Sequence, residues 1–185
     1  MPDIIKQKSV IEDDWKVLRL AENETPQTVR LPVGPLLVPV AVWRARRAEL
    51  IAREYEHGSP LGVWLAADEG PETIAADLDD FSVVAVHFPK FSDGRGYSTA
   101  RLLRERHGYR GELRAIGDVL RDQLFYLQRC GFDAFALRAD QDHDEALAGL
   151  DDFDEAYQAA VDQPQPLFRR RTANPPQPFD YARTA

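Results

Sequence analysis

The residues best suited to handle a charged ligand lie in "FPKFSDGRGYSTAR", Phe88 to Arg101, directly after the apolar run "FSVVAV". If a strand ends near Phe88 and a helix starts near Tyr97, Gly94 and Gly96 let the chain turn tightly. The first free N–H groups of that helix then point into the loop and can accept an oxyanion. Lys90, Arg95 and Ser98 add charge and hydrogen bonds, and an arginine can grip two oxygens at once. The competing reading is a plain turn in which Ser92 or Asp93 caps the helix, and the Asp93 charge would repel an anion. A second loop, "GDVLRDQ", follows the next strand. Alternation puts Arg114, Ile116 and Asp118 on one face of that strand, with His87 near the end of its neighbour. His87 oriented by Asp118 would serve as a general base, with Arg121, Asp122 and Gln123 lining the helix start beyond. The bland alternative is a hydrogen-bonded histidine at the core edge, with Asp118 or Asp122 as helix cap.

Several chemistries are excluded by spacing. "GRGYST" supplies GxG, but Thr99 stands where the third glycine of GxGxxG belongs, and no GxxxxGK[ST] occurs, so no nucleotide cofactor is indicated. Asp140, Asp142 and Asp144 have the first spacings of a calcium loop. Glu145 occupies its glycine position and Asp151 the place of its bidentate glutamate. No metal and no cofactor are expected. The single cysteine, Cys130, rules out an intrachain disulfide and a CxxC pair. Its place in "QRCGF" reads as a buried, inert thiol at a helix end.

The 185 residues carry a net charge of −8, which argues against nucleic-acid binding. Between His87 and Arg129, nine Lys/Arg face five Asp/Glu, a basic island able to draw a small anion or an acidic partner, or simply a set of solvated helix faces. No charged apolar leader and no long apolar stretch is present, so the expectation is a soluble, cytoplasmic protein without membrane contact.

These loops need elements to hold them. Apolar runs "LLVPVAVW", "LGVWLA", "SVVAVHF", "GELRAIGD" and "DAFALRA" are each followed by a helical pattern, the last by "DEALAGLDDFDEAYQAAV". This repeat predicts a single α/β domain over residues 36–162, with a mostly parallel sheet of about five strands. The alternative is a half-barrel-like β/α arrangement. In both, ligands gather at the carboxyl ends of the strands. Residues 1–35 read as an N-terminal extension with short strands at "WKVLRL" and "TVRLPV". Residues 163–185 read as a proline-rich, extended or disordered tail.

The blocks "FPKFSDGRGYS" and "GDVLRDQLFY", with "GVWLAADE" upstream, resemble a bacterial family of unknown function labelled as oxidoreductases involved in sulfite reduction and encoded beside sulfite reductase. The resemblance runs from about Leu36 to Tyr157 and implies a role in assimilatory sulfur metabolism. It brings no established catalytic residues. Because redox chemistry at sulfite needs a metal, flavin, nicotinamide or dithiol, the expectation is an accessory protein binding sulfite reductase or a small sulfur oxyanion. The alternative is a small-molecule enzyme, oxidoreductase or lyase, using His87 and Asp118 as an acid–base pair. Homo-oligomerisation stays open.

Overall fold

The computed structural model describes residues 3–173. The strands are β1 (Asp3–Lys6), β2 (Ser9–Glu12), β3 (Lys16–Val17), β4 (Leu36–Pro39), β5 (Leu61–Leu65), β6 (Val83–Phe88), β7 (Glu112–Gly117) and β8 (Ala134–Phe135). The helices are α1 (Val40–His57), α2 (Arg95–Glu105), α3 (Leu124–Cys130), α4 (His143–Leu147) and α5 (Leu167–Ala173). All eight strands join one curved sheet in the order β2-β1-β8-β7-β6-β5-β4-β3, a half-barrel. From β3 to β8 each neighbouring pair is parallel, whereas β1 pairs antiparallel with both β2 and β8. The expected mostly parallel, five-stranded sheet is therefore corrected to a mixed sheet of eight, and the half-barrel alternative fits. The N-terminal hairpin escaped the repeat because an antiparallel pair needs only a tight turn, with no helix to announce it.

Other boundaries shift for local reasons. "LLVPVAVW" is not all strand: it stops at Pro39, whose φ of −67° and missing N–H suit the start of α1. The segment after β5 forms only 3₁₀ turns, Pro71–Thr73 and Ala75–Asp80. Asp77 there is turned to the Trp43 Nε1 at 2.8 Å, and Asp80 to Arg47. The long helix expected over 144–161 reduces to α4 and a 3₁₀ turn, Ala148–Asp151. Gly149 packs so closely on the Arg121 backbone that a Cβ would lie 3.0 Å from its carbonyl oxygen. Asp151, Asp152 and Asp154 follow in a run that favours turns over helix. "WKVLRL" contains β3, but "TVRLPV" forms no strand. Of the proline-rich end, residues 163–173 include α5, and 174–185 lie outside the described residues.

The sheet has two unequal faces. Its convex face packs on the helices and holds the main core, including Leu36, Val63, Val84, Leu103 and Leu127, all 0 % exposed. The second face carries a smaller cluster of Leu37, Val83, Ala85 and Ile116, against which Trp15 and Trp64 pack. The chain after β2 runs across it: Leu18 N–H donates to the Leu37 carbonyl at 2.8 Å, and Trp64 Nε1 to the Leu18 carbonyl at 2.9 Å.

That crossing is fixed by a buried ion cluster. The strand register places Trp64, Ala85, Arg114 and Ala134 in one row, so two alanines flank Arg114 and leave space for its side chain. Arg114 is 2 % exposed and donates to Asp13 at 2.8 Å and to Glu112 at 2.7 Å. Lys6 closes on the other oxygen of Glu112 at 2.6 Å, and the Trp15 ring lies 5.9 Å from the guanidinium. Burial pushes the Asp13 carboxyl up, against the pull of Arg114. Arg114→Leu would leave the buried Asp13 carboxylate without a cation and Glu112 with Lys6 alone, and is expected to lower stability by about 3–5 kcal/mol in urea unfolding. A loss below about 1 kcal/mol, typical of an ordinary surface change, would show that the cluster does not hold this crossing.

Candidate functional site

Three loops meet at the carboxyl ends of β6, β7 and β8, and Asp118 ties them. Its N–H donates to the Phe88 carbonyl at 2.8 Å, its Oδ2 accepts from Phe91 N–H at 2.8 Å, and its Oδ1 accepts from Arg138 at 2.8 Å. The Phe91 N–H, followed by Arg138, holds the Asp118 carboxyl below the usual carboxylate range. Arg138 also grips Asp140 through Nε at 2.6 Å. Gly117 is required here: at φ 100°, a Cβ would sit 2.3 Å from the Phe88 carbonyl oxygen and 3.0 Å from His87 Nε2.

The loop of Lys90 to Gly94 closes on itself. Asp93 accepts from the Arg95 N–H at 3.2 Å and from its guanidinium at 2.9 and 2.6 Å, which pulls the Asp93 carboxyl down to about 2. α2 starts at Arg95 with Gly94 as its cap residue, and Gly96 lies against Phe88, where a Cβ would meet the ring at 2.5 Å. Lys90 and Ser92 are exposed. Tyr97 stacks edgewise on Phe88 with centroids 5.4 Å apart, and its hydroxyl accepts from Gln123 at 3.2 Å. Gln123 is buried and also accepts from Leu120 N–H, so it braces the α3 entry. Arg121 turns away to Asp152 at 2.7 Å, Asp122 is exposed, and Ser98 faces a cleft between α2 and α3. Arg114 belongs to the buried cluster rather than to this mouth.

His87 and Asp118 are thus neighbours by strand, yet they share no hydrogen bond. The His87 ring meets Arg19 at 3.4 Å and the Trp64 ring at 5.8 Å. Arg19 lies over Trp64, 5.8 Å from its centroid, and among the described residues no carboxylate comes within ion-pair distance of it. Burial first, and the Arg19 charge second, push the His87 pKa down, which keeps the imidazole neutral at pH 7. The arrangement offers one uncompensated guanidinium, one neutral ring nitrogen and an aromatic wall at the end of the concave face. Among the described residues, no group of three or more His, Cys, Asp or Glu is placed to hold a metal ion. Cys130 is 8 % exposed at the end of α3, and burial pushes its thiol up.

Sequence reasoning gave no role to Arg19, Trp64 or Arg138. Alternation within "LGVWLA" puts Gly62 and Trp64 on one face, and within "DAFALRA" Ala134, Ala136 and Arg138, so two of the three were open to the argument used for Arg114. Arg19 was not, because a two-residue strand, Lys16–Val17, has too little alternation to place the residue that follows it.

His87 yields a direct test. Its folded pKa lies below the ordinary value of about 6.5, so on acidification the unfolded chain takes up a proton that the folded chain refuses, and His87 withdraws stability below that pH. In an NMR titration its midpoint is expected below 6.5, with Arg19→Gln raising it only part of the way because burial persists. A midpoint at or above 6.5 would contradict the described environment.

None of the curated proteins matches the sequence. Residues 62–168, more than half of the chain and including all three loops of the mouth, match the family described as bacterial protein of unknown function, DUF934, and the chain belongs to that family.

Proposed function

We propose that the protein is an accessory of sulfite reduction that holds a small sulfur oxyanion at the carboxyl ends of its strands, for delivery to a sulfite reductase. The observation that carries this reading is Arg19, a guanidinium without a carboxylate partner among the described residues, set beside a neutral His87 and over Trp64. An arginine so placed can give two parallel N–H groups to a tetrahedral or pyramidal oxyanion. The neutral His87 ring, whose Nε2 accepts from Arg19, keeps one N–H, on Nδ1, as a further donor. Lys90, exposed on the neighbouring loop, adds positive potential at the same end. The sulfur side of the reading rests on the resemblance of "FPKFSDGRGYS" and "GDVLRDQLFY" to proteins labelled for sulfite reduction.

Binding is favoured over acid–base catalysis because the Asp118 carboxylate is engaged by Phe91 N–H and Arg138. It is not free to orient His87 or to accept its proton. Calorimetric titration of the full chain with sulfite tests the reading, with sulfite concentration followed in parallel. The expected result is saturable binding, weakened about tenfold or more by Arg19→Gln, as for loss of one charge-assisted pair, and no consumption of sulfite by the chain alone. Turnover of sulfite by the isolated protein, or binding indifferent to Arg19, would overturn it.

A further inference from the structure

On the helical side of the sheet, away from the strand mouth, a groove runs along α2 beneath the chain at 158–161. Tyr97, Ser98, Tyr126 and Cys130 line one half, a cleft of about 180 Å³. Glu105, Arg110 and Pro164 line the other, of about 390 Å³. Arg101 and Ala159–Val161 border both, so the two clefts adjoin at Arg101. Together they reach the range of about 300–1,000 Å³ typical of small-molecule sites.

The two ends differ in chemistry. At one end the rings of Tyr97 and Tyr126 lie 5.0 Å apart, and Tyr126 is 57 % exposed, an aromatic surface that no neighbour covers fully. At the other end Arg110 is exposed and has no carboxylate partner among the described residues, while Arg101, 58 % exposed, is held only by Glu105 at 2.9 Å. Arg104 also lines this half, but its guanidinium is committed to the carbonyls of Tyr109, Gly111 and Gly131 and to Asp133. The roof is anchored: Val161 N–H donates to the Arg129 carbonyl at 3.0 Å, and the Arg129 guanidinium returns a bond to the Gln158 carbonyl. The groove therefore exists before any ligand arrives, which lowers the ordering cost of binding.

We propose that this groove binds a small aromatic compound carrying a phosphate or sulfate ester, its ring against Tyr126 and its oxyanion between Arg101 and Arg110. Ring stacking and a charge-assisted grip act at opposite ends, so neither an uncharged ring nor a bare anion satisfies the site. Glu105 competes with the ligand for Arg101 and sets a limit on its affinity. This site is separate from the strand mouth and stands without the reading given above.

Titration calorimetry with phenyl phosphate and phenyl sulfate tests it, with phenol and inorganic phosphate as partial ligands. At least one ester is expected to bind, about tenfold or more tighter than either partial ligand. The ester that binds more tightly identifies the oxyanion. Arg110→Gln and Tyr126→Ala should each weaken binding about tenfold, and Glu105→Gln should tighten it by freeing Arg101. Arg19→Gln should change nothing here. Circular dichroism verifies that these surface variants remain folded. The proposal is overturned if neither ester binds at millimolar concentration, if inorganic phosphate binds as tightly as the esters, or if affinity ignores both Arg110 and Tyr126.

Discussion

The buried guanidinium of Arg114 is the contact on which the concave face depends. An arginine removed from water carries a desolvation cost that is offset only when its donors meet well-placed acceptors. Here Asp13 and Glu112 supply them, and Glu112 in turn takes Lys6. Two of these partners come from the first fourteen residues, so neutralising Arg114 draws the N-terminal hairpin and the chain after it onto the sheet. From Asp13 that chain passes Trp15 over the guanidinium, ties the Leu18 backbone to the Leu37 carbonyl and the Trp64 ring N–H, and delivers Arg19 beside His87. A charge in the middle of the sheet thus decides which side chain stands at its end.

A second constraint acts at the mouth itself. Asp118 lies just past β7 and spends its carboxylate on the loop after β6 and the strand end of β8, fixing three connections with one side chain. Arg95 is likewise spent, on Asp93 within its own loop. Several of the charged groups that look available in the sequence are therefore internal ties, and the guanidinium left over, Arg19, comes from outside the repeating β-α units. Carboxylates bonded to nearby N–H groups stay ionised and structural, whereas an imidazole set against a guanidinium in a half-buried corner stays neutral.

The pairing of β6 with β7 was legible because the apolar run Val83–Val86 and the run Leu113–Ile116, broken only by Arg114, each end at a loop that opens a helical pattern. Likewise α2 and α3 could be read from their helical spacing and from Gly131, which ends α3 at φ 108°. Arg114 was recognised as facing the same way as Ile116, but its role was not. Alternation tells which face a residue occupies and cannot tell what covers that face. The N-terminal residues were the weakest reading for the same reason: β3 is two residues long, and its value lies in tying the crossing chain to the edge of the sheet at β4.

By itself, then, the sequence determined the repeating β-α order, the strand ends where the loops gather, and the inert, buried setting of its single cysteine. Those features follow from local periodicity, from glycine positions and from counts. Tertiary structure alone decided that the sheet curls into an eight-stranded half-barrel, that His87 answers to Arg19 and not to Asp118, and that Arg101 stands between a cleft lined by two tyrosines and one lined by Arg110. Each of these rests on a pairing between residues distant in the chain, where hydrogen-bond geometry and burial, which no local pattern encodes, select one partner among several of the same charge.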